Sequence, residues 1–100
     1  MPRVRLTVGA QQDLIDIQEQ GLATFGLAAA RSHMQGFEAV FTLLRAYPGA
    51  GEARPDYGDG IRVFSHRPHR VVYHVADGNV LIVRILHSAM DAISALKSAT

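Results

Sequence analysis

The chain has one hundred residues, 48% of them apolar and 19% charged, with a formal net charge of +1. That suffices for one modest core and leaves no bulk charge to draw the chain onto an anionic partner, so any such attraction must come from a local patch. The absence of cysteine excludes disulfides and thiolate metal sites, and no apolar run approaches the ~20 residues that cross a bilayer. The first residues, MPRVRLTVGAQQD, carry no signal-peptide core. The expectation is one cytoplasmic domain spanning residues 1–100, with no membrane association.

Arg3–Val8 alternates Arg3, Arg5 and Thr7 with Val4, Leu6 and Val8, the period of a half-buried strand, and Gly9 is expected to end it. Ala10, Leu14, Ile17 and Gly21 then recur at helical spacing, with Gln11, Gln12, Asp16, Gln18 and Glu19 on the wet side. This first helix should fade at Phe25-Gly26. A longer one follows over Leu27–Tyr47, with Ala30, Met34, Phe37, Phe41 and Leu44 as its stripe and Pro48-Gly49 as its stop. Gly36 costs a helix roughly 1 kcal/mol relative to Ala, which points to close packing against the first helix. Pro48 to Gly60 reads as a surface loop.

Three strands come next. Ile61–His66 ends at Arg67-Pro68-His69, where Pro belongs in a turn or on an edge. Arg70–Val75 and Val80–Leu86 are rich in β-branched residues, and Asp77-Gly78 between them is a tight hairpin turn. Ser88-Ala89-Met90-Asp91 resembles a capping box for a short helix through Ala92, Ile93, Leu96 and Lys97. The fold class is therefore α+β. An N-terminal strand and a helical hairpin precede a three-stranded antiparallel meander, which with the first strand forms a four-stranded sheet, and a short helix ends the chain. The hairpin can cover only one sheet face.

The unusual feature is charge on the meander. From Asp59 to Asp77 no carboxylate intervenes, but Arg62, Arg67, Arg70, His66, His69 and His74 do. Arginines on adjacent strands repel without acidic neighbours, so a binding role for at least two of Arg62, Arg70 and Arg84 is expected. Alternation puts Arg70 with Val72 and His74, and Arg84 with Ile82 and Leu86, so Arg84 is a candidate for partial burial. His66 and His69 flank a turn and His74 lies apart, so no metal set is expected. Asp13 and Asp91 read as caps or first-turn charges, and Tyr73, mid-strand, as a packed residue.

Several segments together resemble the ParE branch of the ParE/RelE toxin superfamily. They are Ala10-x-x-Asp13-Leu14-x-x-Ile17, Phe25-Gly26, Leu44-x-x-x-Pro48-x-x-Gly51, Gly60-Ile61-Arg62, Val71-Val72-Tyr73, and Val83-Arg84-Ile85-Leu86-His87 with Met90-Asp91. The resemblance runs from about Arg5 to Leu96 and departs at Glu52, where many members carry Arg. It implies a bacterial toxin of a type II toxin–antitoxin pair, of the kind associated with plasmid stabilisation. Its implied target is DNA gyrase, its implied partner a ParD-like antitoxin, and neither a cofactor nor direct sequence-specific nucleic-acid binding is expected. RelE-like relatives instead cut mRNA on the ribosome. For that chemistry the candidates are Glu52 as base, His87 as acid and Arg70, with Arg62 and Arg84, as the cationic clamp. The single lysine, Lys97, speaks against a ribosome-binding surface. The target and partner surface is expected on the exposed meander and the segment after it, through Arg62, Arg70, Arg84, His87 and Met90. A groove for the antitoxin is expected along Met34, Phe37 and Phe41.

Overall fold

The computed structural model describes residues 2–97. The order of elements is β1 (Val4–Leu6), α1 (Val8–Phe25), α2 (Leu27–Ala46), β2 (Glu52–Ala53), β3 (Ile61–His66), β4 (His69–Ala76), β5 (Asn79–His87) and α3 (Ala92–Lys97). The sheet runs β1-β5-β4-β3-β2, parallel between β1 and β5 and antiparallel elsewhere. It therefore has five strands rather than four. The extra one, Glu52–Ala53, is a two-residue pairing with Val63 and Arg62 inside the expected loop, too short to carry a periodic signal. No helix among the described residues is long and apolar enough to cross a membrane.

The first strand stops earlier than its alternation suggests, because Thr7 caps α1. Its hydroxyl accepts the Ala10 N–H at 3.0 Å and donates to the Val83 carbonyl at 2.7 Å. The hairpin turns on Gly26 at φ 88°, a conformation that favours glycine. Where α1 and α2 approach, Gly21 faces Ala30. Gly36 instead faces β3: a Cβ there would lie 2.3 Å from the His66 ring. The glycine thus makes room for a sheet residue, not for the first helix.

The helices cover one sheet face, where Phe37, Val40 and Leu44 meet Val71, Tyr73, Val80, Ile82 and Ile85. On the other face Val63, Val72 and Leu86 pack under Ala92 and Leu96 of α3. Asp77 and Gly78, both at positive φ, make the β4–β5 turn. Arg67 and Pro68 make the β3–β4 turn, with His66 paired to His69. The cap of α3 is Asp91, whose carboxylate accepts from the Ile93 and Ser94 amides, and not Ser88.

One irregularity redistributes the side chains. Tyr73 pairs with Ile82 while Val72 pairs with Arg84, so Val83 is an extra residue in β5. The bulge reverses alternation beyond it. Arg84 and Leu86 share the α3 face, whereas Ile82 is on the helix face.

Candidate functional site

The arginines expected to act together are distributed over the molecule. Arg62 pairs with Tyr73 and so lies on the helix side, where it donates to the carbonyls of Gly51 and Gly49 at 3.1 Å each. Arg84 leans over the β5 edge where β1 has ended. Its Nε and Nη2 donate to Asp13 at 2.7 and 2.9 Å, and the same carboxylate accepts the Ile85 N–H at 2.9 Å. Asp13 is thus a tie from α1 to the free edge of β5 rather than a first-turn charge. The carboxylate raises the guanidinium pKa further, and the pair is largely shielded from water.

Arg70 is the arginine left beside exposed surface. On the α3 face it donates to the Tyr57 hydroxyl at 3.0 Å and the Met90 carbonyl at 2.9 Å, with no carboxylate partner among the described residues. Its Nε is buried without a hydrogen-bond partner. Arg54 sits 4.1 Å over the Tyr57 ring and chelates Asp56 at 3.0 and 2.8 Å. With exposed Met90 and Ile93 these residues form a mixed polar and apolar patch. Arg54 and Tyr57 gave no periodic signal in the loop, and only their cation–π geometry marks them.

The histidines converge where sequence spacing kept them apart. His66, His69 and His87 occupy one cross-strand row on the helix face and meet His33 of α2. His33 Nε2 and His69 Nδ1 are 3.0 Å apart, and His66 Nε2 donates to the His33 carbonyl at 3.1 Å. The His33 and His66 rings stack at 4.5 Å, and His87 stands edge-on to His69 at 5.6 Å. Burial, then the neighbouring imidazoles, holds His69 down to about 4, and burial followed by His66 lowers His33 as well. No group of three or more side chains placed to hold a metal ion occurs among the described residues. His33 could have been flagged by its position one residue before Met34 on the stripe; its partners could not.

Beside the cluster a cavity of about 390 Å³ opens between α1, α2 and the Pro68 turn, lined by Ile17, Phe25, Ala30, Met34, His69 and His87 among others. Met34 borders it, but Phe37 is only 1% exposed and belongs to the core, leaving it no surface for a partner. Phe41 packs against the same core. The nuclease set is not assembled. Glu52 pairs with Val63 and lies with Arg70 on the α3 face, whereas His87 is on the helix face, three inter-strand spacings (roughly 14 Å) across the sheet and three residues further along it.

The model for "ParE toxin of type II toxin-antitoxin system, parDE" matches residues 4–92. Toxin ParE3 of Caulobacter vibrioides is 32% identical over 100 residues, covering both chains completely. Toxin ParE1 of the same organism is 29% identical over 92 residues, or 92% of this chain and 95% of that one. A solved structure described as the chromosomal ParDE TA system from P. aeruginosa has the same fold, with a TM-score of 0.74 at 22% identity over 87% of this chain and 96% of the other.

Proposed function

Because the chain belongs to the ParE toxin family of type II toxin–antitoxin systems, we propose that it is a toxin directed at DNA gyrase and held inactive by a ParD-like antitoxin. The match across residues 4–92 carries this reading. The scattering of Glu52, Arg70 and His87 over two sheet faces supports inhibition by binding rather than RNA cleavage, since proton transfer needs its acid and base about one substrate group apart. The target-facing surface is the α3 side, where Arg70, Met90 and the Arg54–Tyr57 pair meet. Arg62 and Arg84 hold the scaffold behind it. The antitoxin seats on the helical hairpin, which exposes Leu22, Phe25 and Leu27 beside Met34.

Expression of the chain alone should arrest growth, and co-expression of the small protein encoded beside it should restore growth. Purified toxin should increase cleaved DNA in a gyrase assay while preformed mRNA stays intact. Ribosome-dependent mRNA cutting abolished by His87→Ala would replace this reading with the RelE-like one.

A further inference from the structure

Three features outside the target surface hold unused chemistry: the outer hairpin groove, the Asp13–Arg84 tie and the histidine cluster. The groove between α1 and α2 is apolar with mixed charge, and the tie is satisfied within the fold. The histidine cluster is different. It places His33, His69 and His87 at one end of a 390 Å³ cavity whose walls are otherwise Ile17, Phe25, Ala29, Ala30, Met34 and small or uncharged polar residues. Among the described residues that line it, no element brings a counter-charge. From α1 the cavity receives Gln20 and Thr24, from α2 His33, and from β4 and β5 His69 and His87. His66 of β3 stacks behind, and Arg67 of the exposed turn adds only positive charge. The nearest element to carry a carboxylate inward is α1, and that group, Asp13, is spent on Arg84 and the Ile85 amide.

We infer that this cavity takes an apolar side chain of the antitoxin flanked by a carboxylate, and that the carboxylate is received by the His33–His69 pair with uptake of a proton. The inference rests on the antitoxin reading above and adds to it the chemistry of one contact. The fit has two parts. The walls suit a leucine- or phenylalanine-sized group, which gains free energy by leaving water. The paired imidazoles already share one hydrogen bond across 3.0 Å, so a proton added to either converts the pair into a cation facing the incoming carboxylate. In the free toxin no carboxylate among the described residues lining the cavity stabilises that cation, and burial, then the neighbouring imidazoles, holds His69 down to about 4. Binding the acid lifts the imidazole pKa toward or above its ordinary value, so affinity and proton concentration become linked.

The test uses the full-length toxin and the antitoxin encoded beside it. Calorimetric titrations at pH 7 in phosphate and in Tris report the protons exchanged on binding. The expected result at pH 7 is net uptake of about half a proton, with binding roughly ten-fold tighter at pH 6 than at pH 8. His33→Asn and His69→Asn, which keep a polar group without a titrating ring, should abolish the uptake and flatten the pH profile while complex formation at pH 8 persists. A complex that exchanges no proton overturns this inference and leaves the toxin–antitoxin reading standing. Uptake that persists in both variants also overturns it, because the proton then belongs to another group. No complex at any pH overturns both.

Discussion

Tyr73 shows how a single hydroxyl can organise the turn that ends a helix. Its side chain is fully buried, yet the oxygen accepts the Gly51 N–H at 2.8 Å and donates to the Pro48 carbonyl at 2.7 Å. A Cβ on Gly51 would lie 2.6 Å from that oxygen, so the Pro48-x-x-Gly51 spacing in the sequence is the imprint of a tyrosine two strands away. Tyr73→Phe should cost about 2 kcal/mol in urea unfolding, because a buried amide and a part-buried carbonyl lose their partner together. His69 gives a pH-dependent counterpart. Held at about 4 in the folded chain against 6.5 when unfolded, it is protonated first in the unfolded state. Its contribution is therefore intact above about pH 6.5 and is lost as pH falls toward 4. The full difference corresponds to about 3 kcal/mol, and half-burial with solvent screening reduces it to about 1–2 kcal/mol. Melting curves between pH 7 and 4.5 should show this loss, and His69→Leu should diminish it.

The elements are joined by polar ties at a defect. The Val83 bulge leaves β5 with a carbonyl and an amide that no strand can pair once β1 has ended at Leu6. The first turns of α1 supply both partners, Thr7 for the Val83 carbonyl and Asp13 for the Ile85 amide. Arg84 completes the junction by bonding Asp13 and reaching the Ala95 carbonyl of α3 at 3.4 Å, so one residue links both layers. Asp13→Ala alone should destabilise by about 3 kcal/mol, because it strands a shielded guanidinium and an amide. Combining Asp13→Leu with Arg84→Met should cost less than the sum of the single changes. Additive losses in this double-mutant cycle, measured by denaturant unfolding, would show that the pair is not coupled.

At the scale of the whole molecule the five-stranded sheet separates two surfaces. The helix side carries the cavity and the imidazoles, and the α3 side carries Arg70, Tyr57 and Met90. If the two surfaces serve antitoxin and target separately, substitutions on them have separable effects. Arg70→Gln with Met90→Ala should reduce toxicity at least ten-fold while antitoxin affinity changes less than three-fold, since a lost charged hydrogen bond and anchor amount to about 1.5–3 kcal/mol. Met34→Glu should do the reverse, weakening antitoxin capture and leaving a toxin that the antitoxin no longer rescues. Growth assays and binding titrations on the same variants decide it, and equal losses on both measures would merge the two surfaces into one.

Residue pattern alone determined the helical hairpin, the three long strands and their turns. Each depends on local physics: apolar spacing of 3.6 or 2, Gly26 and Pro48 as stops, Asp77-Gly78 supplying positive φ. The family, too, was readable from motifs spread along the chain. Tertiary structure decided what depends on registers that no local rule encodes. A two-residue strand at Glu52 needs a neighbour before it is a strand at all. The Val83 bulge adds one residue, and that residue sets Arg84 on the opposite face from the one its alternation with Ile82 implied. Histidines at 33, 66, 69 and 87 become one cluster only when α2 lies across the ends of β3, β4 and β5, because side-chain proximity across a sheet follows pairing and not sequence distance.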